Sequence, residues 1–395
     1  MLFAKDAPKE NLIVRGARVL DPVEGLDSPV DVKIDDGVVG ELGSNLPQNS
    51  HKVIDGTGLV LAPAFVDPHV HLRTPGREDE ETIATGTRAA AAGGYCAILA
   101  MPNTEPVIDS AAVLGALVEQ AREEAEVQVG FLAAISKGQE GSELTEMGEL
   151  ADQGAAGFTD DGRPVVATAL MWRALQYASI TDRPLAVHCE DPTLSRGGHM
   201  HEGVVSAELG IGGWPSIAES VMVERDLALA LYESRTLHLM HLSARASMNP
   251  PLRSEDDRQA LIAGLRDGTI ACVATDHAPH ARHEKEVPFE AAPFGVTGLE
   301  TAFSALYTHL VEPGLISLET LLERMSAGPA RAYGLEAPKI AVGAPANAVL
   351  LDTQASWQVA EDGFKSRSTN SWLIGEKLRG RVRATIAGGR LVRGS

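Results

Sequence analysis

The sequence predicts an α/β protein, a (β/α)8 TIM-type barrel joined to a small β-sandwich domain formed by both termini. Three observations lead there. Between residues 62 and 333 short apolar runs alternate with stretches at helical spacing, which is the pattern of repeated βα units around a parallel sheet. Both ends of the chain instead carry alternating β-branched runs broken by turn residues, which read as antiparallel strands. Five of the central apolar runs stop at an imidazole or a carboxylate, as expected where strand ends converge on the reactive rim of a barrel.

The first β region holds Leu12-Ile13-Val14, Ala17-Arg18-Val19-Leu20 and Val30-Asp31-Val32-Lys33-Ile34, the last followed by Asp35-Asp36-Gly37, a hairpin signal. Its counterpart is residues 346–352 and 381–392. Pairing the two ends gives a sandwich domain from 1–61 and 336–395 around a barrel at 62–335. Helices are expected near 81–92, 111–125, 166–179 and 217–233, where apolar residues recur at helical spacing.

Composition narrows the function classes. The 395 residues include 34 basic and 54 acidic side chains, a net charge of −20, which excludes a nucleic-acid binder working through a basic surface. Hydrophobic residues make up 44% and charged ones 22%, a globular composition. Cys96, Cys189 and Cys272 lie far apart with no C-x-x-C pair, which fits a reducing compartment. No apolar stretch has signal-peptide or transmembrane length. The expectation is a soluble cytoplasmic protein with no membrane or nucleic-acid partner.

The chemistry collects at the run ends. Val66 leads to Asp67-Pro68-His69-Val70-His71, Phe158 to Thr159-Asp160-Asp161, Val187 to His188-Cys189-Glu190, Met240 to His241, and Thr275 to Asp276-His277. His69 and His71, two apart, leave the same face of a strand and can reach one cation. His238 and His241 are three apart and face opposite sides, so His241 is the better ligand and His238 a packing residue. His199-Met200-His201 follows Ser195-Arg196-Gly197-Gly198 and reads as a solvated or substrate-side loop. Asp160-Asp161-Gly162 could by itself be a turn and helix cap. Taken together, four imidazoles and two carboxylates exceed one tetrahedral site. They suit two Zn²⁺ ions, with Mn²⁺ or Co²⁺ as substitutes, around a water of lowered pKa.

These segments, with Met101-Pro102-Asn103-Thr104, Asn249-Pro250-Pro251-Leu252-Arg253 and Ala274-Thr275-Asp276-His277-Ala278-Pro279-His280, resemble the bacterial type I dihydroorotases of the amidohydrolase superfamily. The resemblance spans nearly the whole chain. It implies that His69, His71 and Asp276 hold one zinc, His188 and His241 the second, and Asp161 bridges them where many relatives use a carboxylated lysine. It further implies Asp276 as general base and acid. Arg73, Asn103, Asn249 and His280 would bind the substrate carboxylate and its neighbouring groups, with the backbone at Phe294 and Gly295 on the pyrimidine ring. The implied reaction is the reversible closure of N-carbamoyl-L-aspartate to L-dihydroorotate in pyrimidine biosynthesis. A homodimer and an aspartate carbamoyltransferase partner belong to the same expectation. The competing readings are an allantoinase or dihydropyrimidinase type of cyclic amidohydrolase, and a non-catalytic dihydroorotase-like partner of aspartate carbamoyltransferase.

One departure stands out. Members of the family place a further βα unit between the second zinc's histidine and the Asn-Pro-Pro-Leu-Arg segment, whereas only seven residues separate His241 from Asn249 here. A helix and a strand need roughly 30 residues or more. The barrel is therefore expected to lack one βα unit, the favoured explanation being a stretch of the natural protein that this sequence omits.

Overall fold

The computed structural model describes residues 1–242 and 254–394. At its centre, six parallel strands are hydrogen-bonded in chain order: Phe65–Val70, Tyr95–Ala100, Gln128–Ala133, Gly157–Phe158, Leu185–Val187 and Leu237–Leu239. We refer to them as the first to sixth barrel strands. The first two are buried at every position, as strands covered on both faces must be. Pro68 cannot donate to the ladder, and the pairing of the first and second strands shifts register between Asp67 and Val70.

Helices cover the outside. The first runs Ile83–Gly93, two residues later than its apolar pattern predicts, because the Thr82 hydroxyl accepts the Thr85 backbone N–H at 3.1 Å and caps it. It stops at Gly94, whose φ of 96° suits glycine. Ala89 to Ala92 are buried on this helix, and their small side chains let it lie close to the sheet. The other expected helices form as Ala111–Glu124, Thr168–Thr181 and Ile217–Tyr232.

The chain ends build two further sheets. One has four strands: Leu12–Arg15, Asp31–Asp35, Val38–Gly43 and Lys52–Asp55. The other has six, combining Arg18–Asp21, Leu26–Pro29 and Val60–Pro63 with Ala348–Gln358, Lys377–Ala387 and Arg390–Arg393. Leu12, Val14, Ile34, Leu61, Leu350 and Ile386 share one apolar cluster, so residues from both ends of the chain meet in a common core. No helix of the described residues is long and apolar enough to cross a membrane.

The barrel is not evenly closed. On one side, backbone bridges tie His277 to Val70 and to Val296, and the His71 N–H donates to the His277 carbonyl at 2.9 Å. On the other side the sixth strand pairs, among the described residues, only with the fifth. The run 270–275, which reads as a strand in the sequence, forms no strand in the structure. A ladder needs a neighbour, and among the described residues no seventh strand stands between this run and the sixth. Asn249 lies outside the described residues.

Candidate metal centre

The rim of the barrel brings six of the expected ligands to one place. His69 and His71 leave the end of the first strand, Asp161 follows the fourth, His188 the fifth, His241 the sixth, and Asp276 comes from the run beside the first strand. The two oxygens of Asp161 divide the set. Its Oδ2 lies 3.5 Å from His69 Nε2 and 3.6 Å from His71 Nε2, and Asp276 Oδ1 lies 3.4 Å and 3.0 Å from the same two nitrogens. Its Oδ1 lies 3.2 Å from His241 Nε2 and 3.6 Å from His188 Nδ1, which are themselves 3.1 Å apart. A carboxylate with one oxygen in each of two donor groups can bridge two cations.

Donor chemistry and burial fit a metal. His69, His71, Asp161 and His188 are all buried, and both ring nitrogens of His69 are buried with no hydrogen-bond partner among the described residues. Buried orphan atoms of this kind call for a ligand. Burial pushes the Asp161 carboxyl up, but the adjacent His69, His188 and His241 outweigh it and hold the group well below the usual carboxylate range. Burial likewise opposes charge on His69 and His188, yet the carboxylates around them lift each ring to about 9. The cluster thus favours buried anions with positive charge between them, which is what a divalent cation supplies.

Neighbours orient the ligands. The Asn103 amide oxygen lies 2.9 Å from His71 Nδ1, so that nitrogen donates and Nε2 is left facing the centre. Glu190 Oε2 lies 2.7 Å from His188 Nε2 and accepts the Ser195 hydroxyl through its other oxygen. Asp160 accepts from the backbone N–H groups of Ile135 and Ser136 at 2.8 Å and 3.1 Å, so two adjacent aspartates divide into one that holds a loop and one that faces the site. Arg73, His241 and Asp276 have φ of 57°, 28° and 45°, a region unfavourable for such side chains.

A cavity of about 120 Å³ opens over the cluster, and its lining includes Arg73, Asn103, His280, Phe294 and Gly295. Arg73 Nε donates to the Pro279 carbonyl at 3.1 Å. His280 Nε2 donates to the Phe294 carbonyl at 2.7 Å. Gly295 has φ 106°, and a Cβ there would come within 2.5 Å of the Ala278 Cβ, so glycine is needed for the chain to pass. His199 stands off the cluster, its ring 6.5 Å from that of Phe294 at the mouth. His238 packs 5.0 Å from the Tyr333 ring and belongs to neither donor group.

Sequence reasoning missed two functional neighbours. Glu190 was discoverable, since an extended segment turns residues two apart to the same side. Glu80, which contacts both Arg73 and His280, carries no local signal.

Residues 58–247 match a family model described as dihydro-orotase-like. The chain is 41% identical to a dihydroorotase of Citrifermentans bemidjiense, covering 97% of this chain and 99% of that protein. It is 42% identical to one of Anaeromyxobacter dehalogenans, covering 96% and 97%. The first of these alignments runs over 422 positions against a chain of 395 residues, so at least 27 positions of the relative have no counterpart here. That shortfall approaches the length of one βα unit. Among solved structures, an L-hydantoinase (dihydropyrimidinase) from Arthrobacter aurescens aligns with a TM-score of 0.84 at 22% identity, over 98% of this chain and 96% of that one. A dihydropyrimidinase from Brevibacillus agri aligns at 0.82 and 22%, over 97% and 95%. These two show the shared fold of cyclic amidohydrolases, and the close relatives show more: the chain belongs to the dihydroorotase family of the amidohydrolase superfamily.

Proposed function

We propose that the protein is a zinc-dependent dihydroorotase that interconverts N-carbamoyl-L-aspartate and L-dihydroorotate. The observation that carries this reading is the Asp161 carboxylate, with one oxygen facing His69 and His71 and the other facing His188 and His241, in a cavity that also holds Arg73.

His69, His71 and Asp276 would hold one cation and His188 and His241 the other, with Asp161 shared. Two bound zinc ions would supply a water of lowered pKa and polarise the amide carbonyl. The remaining work falls to the chain's own groups. Asp276, whose side chain is about a third exposed to the cavity, takes the proton from the attacking water and hands it to the ring nitrogen as the amide bond breaks. Arg73 grips the substrate carboxylate with a planar, charged fork, assisted by His280 on the same wall. Asn103 reaches the cavity but spends its amide oxygen on His71, so it also sets the tautomer of a ligand. Asn249 completes the proposed substrate set by resemblance alone.

A dihydroorotate hydrolysis assay with parallel metal analysis tests the assignment, with about two zinc per chain and turnover in both directions expected. Turnover of dihydrouracil or allantoin but not dihydroorotate would instead mark a dihydropyrimidinase or allantoinase type of enzyme. Fewer than one metal per chain with no turnover would mark a non-catalytic partner. Ring closure consumes one proton, so the equilibrium should move toward dihydroorotate by about tenfold for each pH unit of acidification.

A further inference from the structure

We infer that Glu80 is the positioning residue for both arms of the substrate clamp, an inference that rests on the proposed function. Glu80 sits between the first barrel strand and the helix Ile83–Gly93 and is only 2% exposed. A carboxylate so deeply buried must be fully partnered. Its Oε2 lies 2.9 Å from Arg73 Nε, and its Oε1 lies 3.2 Å from His280 Nδ1 and 3.0 Å from an Arg77 nitrogen. One side chain thereby joins two cavity-lining residues from segments some 200 positions apart in sequence.

The geometry constrains each arm. Arg73 Nε donates to the Pro279 carbonyl and lies 2.9 Å from Glu80 Oε2, while a terminal nitrogen of the guanidinium lies 3.4 Å from His280 Nε2, so the carboxylate anchors an arm that already meets the other one. The His280 ring is caught between the Glu80 carboxylate and the Phe294 carbonyl, which fixes its plane. Glu80 is itself anchored, since its carbonyl accepts the Ser368 hydroxyl at 2.7 Å and its N–H donates to the Arg77 carbonyl at 2.9 Å. Glu80, His280 and Glu284 could by spacing hold a metal ion. However, Arg73 and Arg77 already meet Glu80, and Arg77 meets Glu284 at 2.7 Å, so guanidinium groups supply the cationic partners there.

Substrate grip therefore depends on Glu80, while proton transfer at Asp276 does not. The Glu80→Gln variant keeps the shape but loses the charge that aligns Arg73 and His280. Its KM for dihydroorotate and for N-carbamoyl-aspartate should rise about tenfold or more, with kcat within about threefold and metal content unchanged. Glu80→Asp, which retains a carboxylate, should recover part of the loss. A role in folding alone would lower the yield of active protein and leave KM where it was. Wild-type protein inert toward dihydroorotate would overturn the functional reading and this inference with it. An active wild type whose Glu80→Gln variant has unchanged KM would overturn this inference alone. If the Gln variant does not fold, an Asp variant with wild-type KM has the same force.

Discussion

The barrel has two unlike sides. Along the first five strands the side chains are buried at every position except Gln128, whereas all three residues of the sixth strand are half-exposed. In the run beyond the gap, Ala271 and Ala274 are exposed. Four candidate ligands, His69, His71, Asp161 and His188, come from the closed side, and His241 and Asp276 come from the open one. The means of support differ accordingly. Closed-side ligands sit at the ends of laddered strands, but His241 and Asp276 both have positive φ and are tied in by individual hydrogen bonds. Chief among these are Thr275 to Asp67 and Met240 N–H to the Val187 carbonyl. A site can thus be half assembled by packing and half by local bonds that hold a strained backbone.

Ligand substitution should show the largest contrast. Asp161→Asn removes the group shared by both donor sets, so bound metal and turnover should both collapse, the latter by about 10⁴-fold or more. Asp276→Asn should cost about 10²- to 10⁴-fold in turnover while keeping the fold and the cation held through His188, His241 and Asp161. Metal analysis beside single-turnover rates separates the two. Equal metal loss would mean that both sides contribute alike.

Hydrogen exchange reads the same contrast without mutation. Amides of Tyr95–Ala100 lie between two paired strands, while Leu237–Leu239 has one neighbour among the described residues. Exchange from the sixth strand should be about 100-fold faster or more. Matching protection would show that something covers its free edge.

How much of this is legible in the sequence follows the same division. The His69 and His71 pairing on one face needs only the strand period of two, and the run ends at Asp161 and His188 need only the βα alternation. The run 270–275 misleads because strand formation depends on a partner as well as on composition, and on one side no partner strand occurs among the described residues. Glu80 is invisible for another reason. It follows Pro75-Gly76 in a charged turn and gains its meaning only when His280 folds against it. Asn103 reads as a turn residue beside a proline, and nothing local reveals that its oxygen meets His71.

A smaller effect should follow from the tie across the closure. Asp67 is fully buried, and its carboxylate accepts the Thr275 hydroxyl at 2.5 Å and backbone N–H groups of His69 and Thr275 at 3.1 Å and 3.2 Å. Burial raises its pKa to about 6 even with these donors in place. Thr275→Val is similar in shape but removes one donor, and should cost about 1–3 kcal/mol in urea unfolding. Because Asp276 is the next residue, kcat should fall more than metal content does. Loss of stability with an unchanged kcat would show that Asp276 is held by other contacts.

The smallest effect concerns His238, on the open strand. Burial, with the nearby His69 and His241, lowers its pKa to about 4 from the usual 6.5. The native state therefore prefers the neutral ring, while the unfolded chain takes up a proton as pH falls through 6.5. Stability from this residue is complete above about pH 6.5 and is lost as pH falls toward 4. Allowing for its partial exposure, the loss should be about 2 kcal/mol. Other groups titrate in this range too, so the informative quantity is the difference between wild type and His238→Asn in urea midpoints at about pH 7 and about pH 4.5. The variant should lose less stability over that interval. If the two proteins lose the same amount, water reaches the ring freely and His238 titrates as an exposed histidine, which would extend the open side of the barrel inward past the sixth strand.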